Sequence, residues 1–209
     1  MFILNFVVVS QNAKVDDISL DGVINKKEWA NAREYPLSKE YPSSKGGKLL
    51  ILRRDNVLYL GIQGGSPGWS HVYLHRNDSV SVLHASAALG DQLYVNKDQL
   101  WKLQKKFSWE LRDEVFNEGT KQKMENYYNT HGWCANNNSL GDGGTFEFKI
   151  DLRKFHAAKL SFVALVTADD AKLLAVYPHG LTDDTLFEKL VRGGSSDNLQ
   201  FKPSTWSKL

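Results

Sequence analysis

The chain has 209 residues, 42% hydrophobic and 24% charged, a length and composition that suit one globular domain folding without a metal or disulfide staple. Lys and Arg number 26 against 24 Asp and Glu, so the concentrated basic face that phosphate neutralisation demands is missing and nucleic acid is not an expected partner. A single cysteine, Cys134, excludes an intrachain disulfide and a Cys-based zinc knuckle, and no apolar run reaches the ~18 residues needed to span a bilayer, so an integral membrane protein is not expected.

Residues 1–13 open with an apolar run, Phe2 to Val9, followed by small and polar residues. This is the centre of a secretory signal without its positive n-region, or else a buried first strand, since "FVVV" has strong β propensity. Residues 14–209 then read as one β-sandwich domain. Ile18 and Leu20 alternate with polar neighbours, as in a half-buried strand that stops at Asp21-Gly22. A short helix follows, with Asn25 as N-cap, Glu28 three residues on and Ile24 and Trp29 placed to staple its start; it should end before Pro36. Trp29 is expected to plug the core.

From Lys48 the period becomes two. "KLLILRRDNVLYLGIQ" is two apolar runs around Arg54-Asp55-Asn56, a hairpin signal, with Leu58, Leu60 and Ile62 on one face and Val57, Tyr59 and Gly61 on the other. After the loop "GGSPGWS", "HVYLHRNDSVSVLHAS" predicts a second hairpin about Asn77-Asp78. The basic run "KLQKKF", Lys102 to Phe107, is short enough to be a solvated face. Asp98 to Trp133 interrupts the strand rhythm, and spacing predicts a helical insertion around 113–128. "TFEFKIDL", with Phe146, Phe148 and Ile150 on one side, "KLSFVALV" and "KLLAVYP" are the last strands. The pattern is that of an all-β, antiparallel β-sandwich with a short N-terminal helix and a helical insertion.

In this order, "ISLDGVINKKEWANA", "KLLILRRDNVLYLGIQG" and "TFEFKIDLRKF" with "LSFVALV" resemble the carbohydrate-binding module family nine-like domains (CBM9-like) of the DOMON-like sandwiches. The resemblance covers Val15 to Gln63 and Gly144 to Tyr177, and Trp69 to Trp133 departs from it. It implies a jelly-roll-like sandwich, usually secreted or periplasmic, in which many members bind a ligand without transforming it. The scaffold carries over better than the ligand, because function sits in the site.

A saccharide site needs a flat aromatic ring with amides or carboxylates beside it. Trp69, in a turn-rich loop, and Trp133, followed by Asn136, Asn137 and Asn138, are the carbohydrate-binding candidates, while Trp101, Trp109 and Trp206 are expected to pack on the sheet. If Asn77-Asp78 is a two-residue turn, His71 lies opposite His84, a start for a transition-metal or haem site to which His131 could add a third ligand. "NNNSLGDGG", Asn136 to Gly144, concentrates oxygen ligands as calcium loops do, without EF-hand spacing. Catalytic motifs are missing: there is no G-x-S-x-G elbow, P-loop or H-E-x-x-H. Glu110, Glu114 and Glu118 have the spacing of a solvated helix face, and Ser86, near His84, lacks an evident third member. The expectation is an extracytoplasmic, non-catalytic domain with a saccharide partner, the cytosol remaining open. The alternatives are a metal- or haem-binding sandwich using His71 and His84, or a hydrolase.

Overall fold

The computed structural model describes residues 18–36, 47–65, 68–86, 88–108, 110–111, 118–138, 144–156, 159–166, 173–178 and 198–209. The N-terminal run, Trp109 and residues 139–143 therefore lie outside the described residues.

Thirteen strands and two helices are described: β1 (Arg33–Pro36), β2 (Lys48–Arg54), β3 (Val57–Gly65), β4 (Gly68–Arg76), β5 (Ser79–Ala85), β6 (Leu89–Lys97), β7 (Leu100–Lys105), α1 (Glu118–His131), β8 (Trp133–Asn138), β9 (Gly144–Asp151), α2 (Leu152–Phe155), β10 (Lys159–Val166), β11 (Leu173–Tyr177), β12 (Asn198–Leu199) and β13 (Ser207–Lys208). They form two antiparallel sheets, one ordered β1-β2-β3-β9-β8 and the other β11-β10-β4-β5-β6-β7-β12, with β13 beside β10. Alternation decides the layers. Leu58, Leu60 and Ile62 of β3 and Phe146, Phe148 and Ile150 of β9 meet Val72, Leu74, Leu83 and Ala85 of the second sheet in one buried core. The chain is an all-β sandwich, as the strand pattern predicts.

Each sheet is also covered on its outer face. Outside the five-stranded sheet, Ile18 and Trp29 pack on Leu50, Leu52 and Tyr59. Outside the eight-stranded sheet the alternate positions of β4 are His71, Tyr73 and His75, and an aromatic layer stacks there. Phe201 lies against Tyr73, Tyr94 and Trp101, and Trp206 against Tyr73 and His75. The Trp101 indole N–H donates to the Phe201 carbonyl at 3.1 Å, tying the C-terminal segment to the sheet. Trp101 and Trp206 do pack on the sheet, both buried.

Both hairpins form where the sequence places them, each about a two-residue turn. Arg54 pairs with Val57 across Asp55-Asn56 and Arg76 with Ser79 across Asn77-Asp78, with positive φ at Asp55 and Asn77. Four expectations need correction. The segment after Asn25 makes a single turn instead of a helix: Asn25 caps it, its side-chain oxygen accepting from Lys27 N at 2.9 Å, but the chain enters β1 at Arg33. One turn orders several residues for few bonds, and here pairing with β2 wins. Ile18 and Leu20 belong to no strand. The insertion holds the strand β7 as well as the expected helix, α1, which is described over Glu118–His131 and ends three residues beyond the predicted 128, residues 112–117 lying outside the described residues. Trp133–Asn138 is the edge strand β8, against the asparagines' weak strand preference, because β9 supplies its ladder and α1 packs against its end through Met124 and Tyr127.

No helix among the described residues is long and apolar enough to cross a membrane.

Candidate functional site

The site is framed by one long-range clamp. Glu147 of β9 faces outward beneath the Ile18–Ala32 segment, where its Oε1 accepts from the Trp29 indole at 3.1 Å and its Oε2 from Gly22 N at 2.9 Å. Gly22 has φ +81°, and a Cβ there would stand 2.8 Å from the Asn137 carbonyl carbon, so the Asp-Gly turn is required by both conformation and space. Burial pushes the Glu147 carboxyl up to about 8, against the Trp29 and Gly22 donors that favour the anion. The clamp leads the chain into β1 and so sets the open edge of the sandwich.

At that edge lies a cleft of about 320 Å3, between β1–β2 and the ends of β11 and β13. Parity explains its lining. Arg33 pairs with Ile51 and Tyr35 with the core residue Leu49, so Arg33, Tyr35 and Arg53 share the core-facing side of the sheet. Opposite them, Tyr177 and Ser207 pair with Phe162 and Leu160 along one edge of β10. The Tyr35 and Tyr177 rings meet edge to face, with centroids 5.0 Å apart and planes at 60°. Asn31, Arg33, Arg53 and Lys208 add polar groups, and Ile51 and Leu58 an apolar wall. Among the described residues no carboxylate pairs with Arg33, Arg53 or Lys208. The neighbouring Glu34 is taken by Lys48 at 2.7 Å.

A second arrangement lies under the aromatic layer. His71 and His84 pair directly across β4 and β5, the register predicted from the Asn77-Asp78 turn. Nε2 of His71 and Nδ1 of His84 face each other in a hydrogen bond; His71 Nδ1 contacts the Tyr73 hydroxyl at 3.0 Å and His84 Nε2 the Ser86 hydroxyl at 2.9 Å. Phe107 packs on both imidazoles. Burial holds both rings neutral, with His84 lowered to about 4 and His71 well below its usual 6.5, the latter helped by His84 itself. Ser86 thus has a histidine partner and that histidine a third member, a relation that β5 alone does not reveal.

The other sequence candidates are dispersed. Trp133 is 0% exposed, stacked on Phe148 and edge-on to Tyr127, so its ring is core and presents no face to a ligand. The Asn136 amide donates to the Leu20 carbonyl and that of Asn137 to the Ser86 carbonyl, which makes both of them braces between segments. Asn138 pairs with Thr145 in the ladder. Trp69 stands in strand β4 opposite Leu165 rather than in a loop. His131 stacks on Tyr127 and neighbours Glu110 and Asp91, and Asp91 pairs with the core residue Leu83, so it belongs to the opposite side of the sheet from His71 and His84. No group of three or more metal-ligating side chains occurs among the described residues. The calcium-like stretch is strand up to Asn138 and again at Gly144, and residues 139–143 between them fall outside the described residues.

Sequence reading does not single out Tyr35, Tyr177 or the two arginines. The available signal is Arg53, which continues the apolar parity of Leu49 and Ile51 with a charge.

No protein-family model matches this chain, no curated protein matches it, and no solved structure matches it.

Proposed function

We propose that the chain is an extracytoplasmic ligand-binding domain that holds a saccharide, without transforming it, in the cleft between β1–β2 and β11–β13. The observation that carries this reading is the Tyr35–Tyr177 pair flanked by Asn31, Arg33 and Arg53 in about 320 Å3. That volume is at the small end of ligand clefts, which run from roughly 300 to 1,000 Å3, and suits one or two sugar rings. Tyrosine rings offer faces to the C–H side of a pyranose, and the amide and guanidinium groups can pair with hydroxyls. The resemblance of the Asp-Gly, Glu-Trp and Glu147 segments to the CBM9-like domains supports the same class, as does the apolar N-terminal run for the extracytoplasmic setting. Calorimetric titration with a saccharide panel tests it. Binding that weakens about tenfold or more in Tyr35→Ala and Tyr177→Ala is expected, aromatic contacts in binding sites often being worth that much. Binding untouched by both substitutions would overturn the site.

A second reading rests on the Ser86–His84–His71 chain, which has the connectivity of a nucleophile, its base and an orienting group. In this reading the domain is a hydrolase acting by acyl transfer. Labelling of Ser86 by a fluorophosphonate, lost in His84→Ala, is its expected signature, and an unlabelled protein would remove it.

A further inference from the structure

We infer that the saccharide bound in the Tyr35–Tyr177 cleft is acidic, carrying a ring carboxylate as uronates do. The inference deepens the saccharide reading and rests on it. Its ground is charge. Arg33 and Arg53 occupy core-parity positions on neighbouring strands, one rung apart on the diagonal, a separation of roughly 7–8 Å in an antiparallel ladder. Lys208 shares by register the outward parity of His75 and does not add to this pair; among the described residues neither arginine has a carboxylate partner, Arg53 Nε donating only to the Asp55 carbonyl at 3.1 Å, and no Asp or Glu side chain lines the cleft. Like charges gathered around one concave wall repel, and an anion seated between them removes that cost.

The kind of anion follows from the rest of the lining. A guanidinium fork matches the two oxygens of a carboxylate. Inorganic phosphate would satisfy the arginines but leave the tyrosine rings, Ile51 and Leu58 without a use. A neutral sugar would do the reverse. A uronate satisfies both halves, its carboxylate at Arg33 and Arg53, its ring against tyrosine, and its hydroxyls towards Asn31 and Ser207. The competing explanation is that charges near an exposed edge strand discourage edge-to-edge pairing.

Calorimetry of the full chain with digalacturonate, its methyl ester, neutral digalactose and inorganic phosphate decides. The acid is expected to bind about tenfold or more tightly than the ester and the neutral sugar, and about tenfold more weakly in Arg33→Gln or Arg53→Gln. Arg53→Lys keeps the charge but loses the fork and should fall between. Added salt should weaken the acid, since these arginines are exposed. Equal affinity for acid and neutral sugar would overturn the charge inference alone and leave the saccharide reading standing. Phosphate binding as tight as the acid and indifferent to Tyr35→Ala, or no binding of any sugar, would overturn both. Arginine variants that keep full affinity but self-associate would assign the charges to edge protection and overturn the inference. Both arginines are solvent-exposed, so loss of the fold is not expected, and melting curves verify it.

Discussion

Trp29 donates its indole N–H to Glu147, 118 residues further along the chain, and with this bond a single turn of polypeptide is fastened to the outside of a sheet. The indole is buried over Gly61, where it meets Leu50, Leu52 and Tyr59. Packing and hydrogen bond are separable here. Trp29→Ala should cost about 3–5 kcal/mol, as truncating a buried large aromatic does. Trp29→Phe keeps most of the apolar contact, leaves Glu147 one donor short and should cost about 1–3 kcal/mol. Urea denaturation measures both, and a Phe variant as stable as the parent would show that the bond contributes nothing.

Gly61 permits this contact. A Cβ at that position would stand 2.9 Å from Cη2 of Trp29, so Gly61→Ala must displace the ring, at an expected cost of about 1–3 kcal/mol. In a Trp29→Ala background the same substitution should cost little. A double-mutant cycle reads the coupling. Additive effects would place the strain elsewhere.

Stability should be greatest near pH 6.5. Glu147 holds its proton up to about 8 in the folded state but only to about its usual 4.5 when unfolded, so its contribution is complete below 4.5 and is lost as pH rises to 8. The histidines act in the opposite sense. Folded His84 stays neutral down to about 4 and His71 below its usual 6.5, whereas the unfolded chain protonates both below 6.5, so their contribution is lost as pH falls from 6.5 towards 4. Two histidines outweigh one carboxyl on the acid side, and Glu147 alone governs the alkaline side. Melting temperatures across this range should trace the maximum, and Glu147→Gln should flatten the descent above pH 6.5.

Cys134 is 1% exposed, and burial pushes its thiol up to about 12. It lies on the wall of a separate cleft of about 280 Å3 beneath α1, yet with so little thiolate it should be inert towards an aromatic disulfide reagent in the native protein. Reaction should appear with unfolding in urea and follow the same transition. Rapid labelling of the native chain would contradict the burial.

Local pattern carries much of the fold. The Asn77-Asp78 turn sets the β4–β5 register, and from it the opposition of His71 and His84 follows by counting. Strict alternation likewise puts Leu58, Leu60 and Ile62 with Phe146, Phe148 and Ile150 into the core. Counting fails where a distant partner decides. Asn136 and Asn137 have the composition of a loop, but β9 and α1 make a strand of them and their amides are used on Leu20 and Ser86. Trp133 has the setting of a surface ring and is instead core, because α1 closes over the end of β8.

The sequence by itself determined the class of scaffold, its hairpins and the faces of its central strands, since these depend on neighbours a few residues apart and on a period of two. Tertiary structure alone decided the sites. The cleft exists because β1 and β11, far apart in the chain, end as open edges of facing sheets, bringing Tyr35 to Tyr177 and Arg33 to the side of Arg53. The Ser86–His84–His71–Tyr73 chain exists because two strands pair in register beneath an aromatic cover. Local propensity ranks conformations of a segment, whereas a site is a set of distances between segments, and those distances arise only when the sheets have packed.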